Sequence, residues 1–216
     1  GRTIDASDGA VRINGEDGFL ITGSFGSGNT IDNELTGAGT RLFFNPNKAA
    51  FRAGNVNGTQ WDDTNLGNYS TALGANTIAS ATGATALGLF TEASGIGSVA
   101  LGQNNVASQN FAMALGYQTT ASASHAMAFG TGTLASNQGA TAFGDFTIAS
   151  GFTATAFGLG TTASGDDSTA FGFNTIASGY KSTAYGFYTE VIGDFSTSFG
   201  SNTLALGFNS TAIGHE

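Results

Sequence analysis

A glycine returns every fourteenth residue, without a miss, over the last two thirds of the chain: Gly74, Gly88, Gly102, Gly116, Gly130, Gly144, Gly158, Gly172, Gly186, Gly200 and Gly214. A strict period of this length means one small unit stacked on itself, a solenoid in which each copy touches only its neighbours. Glycine does not fall at every third residue, so a collagen helix is excluded. Such regularity suits a long fibre or a display surface better than a single active site.

The other columns of the repeat are nearly as regular. One unit reads Ser-Thr-Ala-Φ-Gly-x-x-Thr-x-Ala-Ser-Gly-x-x, as in the stretch from Ser168 to Tyr180. The Φ column is apolar throughout: Leu73, Leu87, Leu101, Leu115, Phe129, Phe143, Phe157, Phe171, Tyr185, Phe199 and Ile213. The residue before it is Ala in ten of eleven units, with Ser198 the exception. A second Ala column runs from Ala79 to Ala205, broken by Val191, and a Thr column begins at Thr77, broken by Asn105.

Each unit therefore predicts two strands of about five residues and two tight turns, with residues alternating between faces. Thr71 and Leu73 share one face and Ser70 and Ala72 the other; Thr77 and Ala79 share a face, and the variable position 78 faces water. With one large side chain per unit, the expectation is that the Φ column fills the coil as its structural core. The Ala72 face is then a flat, almost uncharged outer strip, which a monomer does not leave bare. Self-association along that strip, as a closed ring of copies, is the economical arrangement.

Composition narrows the function classes. Charged residues make up 10% of the 216, while 40% are hydrophobic and 18 are Phe, so the chain can bury a core. The net charge is −9, and five of the six basic residues (Arg2, Arg12, Arg41, Lys48, Arg52) lie in the first quarter, leaving only Lys181 in the repeats. With no basic stripe, no nucleic-acid partner is expected, nor an anionic lipid surface. No run approaches the roughly 18 apolar residues of a membrane span, so this chain is not expected to insert directly into a membrane. It has no cysteine, hence no disulfide or thiol chemistry. The absence of an initiating Met and the stop inside a repeat at His215-Glu216 read as a piece cut from a longer protein.

Residues 1–66 do not follow the period and read as a small β region that caps or leads into the repeats of 67–216. Its strand-like runs are Ala10–Ile13, Phe19–Thr22, Arg41–Phe44 and Ala49–Arg52, with a four-residue turn at Asn45-Pro46-Asn47-Lys48 between the last two.

The motif Ser-Thr-Ala-Leu-Gly-x-x-Thr-x-Ala-Ser-Gly, seen in Ser70–Ala81, Ala84–Gly95 and Ser168–Gly179, resembles the head repeat of trimeric autotransporter adhesins of the YadA type. The stretch Gly39–Gly54, with Gln60-Trp61-Asp62-Asp63 and Gly67–Ser70, looks like a lead-in found before such repeats in bacterial surface and fibre-like proteins. The resemblance implies an all-β, left-handed parallel β-roll. It implies a homotrimer and an extracellular place on a cell surface, anchored through other parts of the protein. The coiled-coil stalk and membrane barrel of that family are absent from this sequence, which leaves a phage or predatory-bacterium fibre, on a virion or fibre surface, as another setting for the same roll.

No catalytic constellation is visible, and neither an enzyme activity nor a cofactor is expected. His125 sits in a variable turn position and His215 at the end, without an acid or nucleophile in a recognisable motif. Gly23–Gly28 is glycine-rich but lacks the Lys of a phosphate loop and reads as a turn. Asp62, Asp63 and Asn65 offer oxygen ligands, but the spacing fits no EF-hand, and pairing with Arg52 or Lys48 at the junction is the simpler reading; no metal is expected. Asp166-Asp167 read as solvated turn residues.

Two features remain as candidate surfaces. Aromatics stand where solenoid turns usually carry polar residues: Phe90, Phe111, Tyr117, Phe146, Phe152, Phe173, Tyr180, Phe187, Tyr188, Phe195 and Phe208. They either staple neighbouring coils and chains or form a ligand-binding surface for a glycan or protein of a host, prey or matrix. The Thr77 column is either an internal ladder of hydrogen-bonded hydroxyls or an ice-ordering surface. The expected function is adhesion or host recognition by a multivalent fibre head; a structural spacer whose binding tip lies elsewhere and an ice-binding solenoid are the alternatives.

Overall fold

The computed structural model describes residues 25–26 and 36–215. The runs Ala10–Ile13 and Phe19–Thr22 lie outside the described residues; of Gly23–Gly28 only Phe25 and Gly26 are described, and they form a turn. Two strands open the described fold, β1 (Gly39–Asn45) and β2 (Ala50–Val56), paired as an antiparallel hairpin through a turn at Pro46–Ala49, one residue later than the expected Asn45–Lys48. A single 3-10 turn follows at Asp63–Asn65, and there is no α-helix among the described residues.

From β3 (Thr71–Ala75) and β4 (Ile78–Ala79) onward, each coil contributes one five-residue strand, as expected, and one of only two residues where about five were expected. The chain is an all-β parallel solenoid. The long strands continue the hairpin into a 13-stranded sheet that ends at Thr211–His215, and the short strands make a 10-stranded sheet. The register is the fourteen-residue period itself: Thr71 pairs with Thr85, Ala72 with Ala86, Leu73 with Leu87 and Gly74 with Gly88. The turns are laddered too, since the Phe90 amide donates to the Ala75 carbonyl and the Phe111 amide to the Ile96 carbonyl, each at 2.8 Å. Backbone groups therefore find partners around the whole coil.

The period glycine has a specific cause. Gly74 has φ of 120° and Gly158 of 127°, a region closed to other residues. A Cβ on either would also strike the carbonyl oxygen of the next coil's glycine, Gly88 or Gly172. Both the turn and the close stacking of coils require glycine here.

The interior reverses the expected faces. Ala72, Ala79 and their repeats are buried, as are most of the Thr77 and Ser70 columns, but in the last coil Ser210 and Ala212 are half-buried. Four small side chains per coil fill the space between the sheets. The residues expected inside point outward instead: Leu73, Leu87, Leu101, Leu115 and Phe129 are half-buried, and Phe143, Phe157, Phe171, Tyr185, Phe199 and Ile213 are exposed. Two turns of only a few residues bring the strands so close that a Leu or Phe has no room between them. The flat Ala72 strip is thus the lining of the coil and not an outer surface. Position 78 faces outward, as expected.

The start of the roll is closed by the lead-in. Arg52 pairs with Ala72 and so occupies the interior column, where its guanidinium donates to the carbonyls of Phe51 (2.9 Å), Ser70 (3.0 Å) and Ala79 (2.9 Å) and to the Ser70 hydroxyl (2.8 Å). Burial pushes its pKa down to about 10, which leaves it charged at neutral pH. Trp61 is fully buried beside Phe43 and donates its indole N–H to the Thr77 carbonyl at 2.9 Å. Lys48 holds the junction through an ion pair to Asp63 at 3.0 Å, and Asp62 accepts the Gly37 amide at 2.7 Å. Arg52 meets carbonyls and a hydroxyl there, not the carboxylates of Asp62 or Asp63.

Candidate functional site

The outward Φ column is the broadest apolar feature. From Phe143 to Phe199 its rings lie one above another at 4.8–4.9 Å, nearly parallel at 1–7°. Phe129 joins Phe143 at 6.1 Å with a tilt of 44°. In-register pairing causes this, because it sets each ring directly over its neighbour at the inter-strand spacing. Phe157 is 39% exposed and Phe199 49%, so the ladder covers its flanks but leaves its front open.

The turn aromatics fall on the two edges of the roll. On the edge after the period glycine stand Phe90, Tyr117, Phe146, Phe173, Phe187 and Tyr188. Phe173, Phe187 and Tyr188 touch one another, at 5.0 Å for the first pair and 4.5 Å for the second. On the opposite edge stand Phe111, Phe152, Tyr180, Phe195 and Phe208. Phe195 meets Tyr180 at 5.3 Å and Phe208 at 5.5 Å, both edge to face, and Phe111 stacks on His125 at 5.2 Å. These rings do staple coil to coil, and apart from half-buried Phe173 they are also exposed, Phe208 most of all at 71%.

Several occupy backbone positions that suit glycine or asparagine. Phe90, Phe111, Phe146, Tyr188 and Phe195 all have φ between 52° and 57°, in columns where other coils place Gly83, Gly97, Asn76 or Asn174. A bulky residue in the left-handed region costs about 1 kcal/mol or more. The fold does not need rings there.

Asp166 and Asp167 are not merely solvated. The Asp166 carboxylate accepts the Phe152 amide at 2.8 Å, and that of Asp167 accepts the Thr153 hydroxyl. Asp194 repeats the first arrangement by accepting the Tyr180 amide at 2.8 Å. The Thr77 column is enclosed, which removes it as an ice-ordering surface. Its hydroxyls do not form a ladder either: those of Thr77, Thr91, Thr119, Thr133, Thr147, Thr161, Thr175 and Thr189 have no hydrogen-bond partner. Among the described residues no group of three or more His, Cys, Asp or Glu converges as a metal site would need, and no helix is long and apolar enough to cross a membrane.

A parallel β-solenoid with an interior of Ala, Ser and Thr, a glycine-locked turn and an apolar outer column defines a class of repetitive surface rods. The YadA head domain repeat matches this chain over residues 66–91, 93–119, 121–147, 149–175, 163–189, 172–203 and 192–216. The chain belongs to the YadA head repeat family. No individual curated protein matches it.

Sequence reasoning found the strands, the turns and the aromatic edges. It missed the interior, although a signal was present. The Ala and Thr columns hardly vary in size, whereas the Φ column passes from Leu to Phe, Tyr and Ile. A closed interior is intolerant of size, and an outer column is not.

Proposed function

We propose that this chain is the adhesive head of an elongated, cell-surface or fibre-borne protein, in which three copies of a left-handed roll pack through their Φ columns and display the turn edges outward. The observation that carries this reading is the outward apolar column from Leu73 to Ile213, six of its eleven residues aromatic and the six from Phe143 onward more than a third exposed. A soluble rod with so continuous an apolar strip is stable when another copy covers it. Self-association by an unbroken column also holds the copies parallel and in step, so every surface feature is presented in triplicate along the rod. Weak contacts then sum by effective concentration. The reaction class is none; the chemistry is recognition.

The test has two parts. Light scattering after size exclusion is expected to give a mass near three times the 21.6 kDa chain. Beads coated with the protein are expected to be retained on cells or matrix, where uncoated beads are not. The spacer reading shares the first result but not the second: a trimer that retains no bead on any surface is a shaft whose tip lies elsewhere.

A further inference from the structure

One column of the wider turn carries an alternation that the fold does not demand. In the last five coils it reads Phe152, Asp166, Tyr180, Asp194, Phe208. Rings stand on every second coil and carboxylates on the coils between. Each carboxylate is tied to the ring residue before it, with Asp166 accepting the Phe152 amide and Asp194 the Tyr180 amide, both through Oδ1. All five residues are exposed. Phe195, in the adjacent column, wedges edge-on between Tyr180 and Phe208 and fixes both rings, while itself adopting φ of 55°.

Coils are one inter-strand spacing apart, about 4.8 Å, so the rings repeat every ~10 Å and the three span about 20 Å. A ligand that engages all three rings must itself be extended and periodic at that length. A β-1,4-linked pyranose chain is such a ligand, because alternate sugars are flipped and the chain repeats every two residues at close to this distance. The sugar's axial C–H face suits the face of an aromatic ring. The spaced carboxylates decide the sugar's charge. Asp166, Asp167 and Asp194 lie along this edge against the single cation Lys181, whose ammonium sits 5.0 Å from the centre of the Tyr180 ring and must swing aside for a sugar to stack there; the excess of carboxylates disfavours a polyuronate and favours an amino sugar. A collagen-like polyproline chain has a shorter triplet repeat, about 9 Å, and brings no fixed positive charge to the carboxylates.

We infer that the edge formed by Phe152, Asp166, Tyr180, Asp194 and Phe208 binds an extended β-1,4-linked amino-sugar polymer, each ring taking one sugar of every second and each carboxylate pairing with an ammonium between them. This rests on the reading of the chain as an adhesive head and names its ligand class. Phe195 packs against Tyr180 and Phe208, and backbone amides hold the Asp166 and Asp194 carboxylates, which reduces the ordering that binding must impose.

The probe is a fully deacetylated β-1,4-glucosamine hexamer, titrated calorimetrically into the whole chain at mildly acidic pH. Cellohexaose, oligogalacturonate and a Pro-Pro-Gly repeat peptide serve as comparisons. The expected order is glucosamine hexamer tightest, cellohexaose weaker, and no heat from the other two. Tyr180→Ala and Phe208→Ala are each expected to weaken binding about tenfold. Asp166→Asn and Asp194→Asn retain an oxygen to accept the amide, so they preserve the turn and reduce affinity only for the charged hexamer. Leu159→Ala, an exposed residue on the opposite edge, leaves binding unchanged. Absence of binding by the folded chain, equal binding by Tyr180→Ala, or preference for the peptide overturns the inference. The bead assay separates this failure from that of the parent reading: if Tyr180→Ala and Phe208→Ala beads adhere as well as the parent, adhesion stands and this edge is not its cause.

Discussion

Arg52 and Ala72 occupy the same position on successive rungs of the long sheet, so a guanidinium sits where the next coil places a methyl group. Below Ala72 the column continues as Ala, and the roll repeats. Above Arg52 no further coil interior follows among the described residues; the side chain donates to the carbonyls of Ser70, just before the long strand, and Ala79, in the short one. Solenoids need such ends, because the terminal coil would otherwise expose its lining and its unpaired backbone.

Replacing Arg52 by Ala removes every one of these donors and leaves a void in the buried column it fills. A buried acceptor without a partner costs about 1–3 kcal/mol, so Arg52→Ala is expected to destabilise the chain by about 3 kcal/mol or more. Arg52→Met restores much of the volume but none of the donors, and should recover only a minor part of the loss. Urea denaturation followed by Trp61 fluorescence measures both. Equal stability of Arg52→Ala and the parent would mean that the cap does not limit unfolding.

The outward Φ column separates stability from assembly. Phe157→Asp places a charge on the open face of a ring ladder, not in a closed interior. It is expected to lower the oligomer mass to that of one chain while the β-sheet circular dichroism persists. Ala156→Leu, one residue earlier, is expected to behave in the opposite way. Its neighbours Ala142 and Ala170 are fully buried, and overpacking such a site costs about 1–3 kcal/mol or more. If Phe157→Asp unfolds the chain and Ala156→Leu is tolerated, the assignment of faces given above is reversed.

How far the sequence could be read follows from the same pair of residues. The period, the alternation and the turns are local properties, and Gly158 and the strand Thr155–Leu159 fall where the repeat puts them. Which of Ala156 or Phe157 faces inward depends on the distance between two sheets, and that is set by the turn lengths together with the backbone contact at Gly158. Hydrophobicity alone favours Phe157 as the buried one. The aromatic edges were visible as exceptions to turn chemistry, but the Phe-Asp alternation needed the coil stacking to place those residues in one line.

The enclosed Thr column yields a double-mutant test. Thr147 Oγ1 is buried without a partner, whereas in one later coil Ser198 replaces Ala and its hydroxyl lies 2.6 Å from that of Thr203. The residue equivalent to Ser198 in the Thr147 coil is Ala142. Ala142→Ser should therefore supply the missing partner and stabilise by about 1 kcal/mol. Thr147→Val removes the orphaned hydroxyl and should be neutral or stabilising by a similar amount. The two gains are not additive, because each relieves the same defect. Absence of both gains in thermal unfolding would show that the hydroxyl already has a partner in solution.

Asn105 is the one departure from Thr in that column, and its bonds explain why it is tolerated. Its side-chain amide donates to the carbonyls of Leu101 (2.5 Å) and Gly116 (2.7 Å), and its oxygen accepts the Thr119 amide at 2.9 Å. Asn105→Ala breaks all three inside a closed coil and is expected to cost about 2–3 kcal/mol, read from the denaturation midpoint. Asn105→Thr, the residue of the neighbouring coils, should recover part of that by filling space.

The glycines divide into two kinds that a pair of substitutions distinguishes. Gly158 combines φ of 127° with a carbonyl oxygen of Gly172 where a Cβ would stand. Gly83 has φ of 68° and only ordinary contacts at 3.9 Å with Gly97. Its column holds Asn209 at φ of 58°, and asparagine is tolerant of that region. Gly158→Ala must separate two coils or change the turn, and is expected to cost about 3 kcal/mol or more, at the severe end of single substitutions. Gly83→Asn is expected to stay within about 0.5 kcal/mol of the parent, since reduced freedom in the unfolded chain offsets the slight strain. Should both prove equally harmful, conformation alone governs these positions; a harmless Gly158→Ala would mean that the coils can part at the turn without loss, and that the period glycine is kept for some other reason than close stacking.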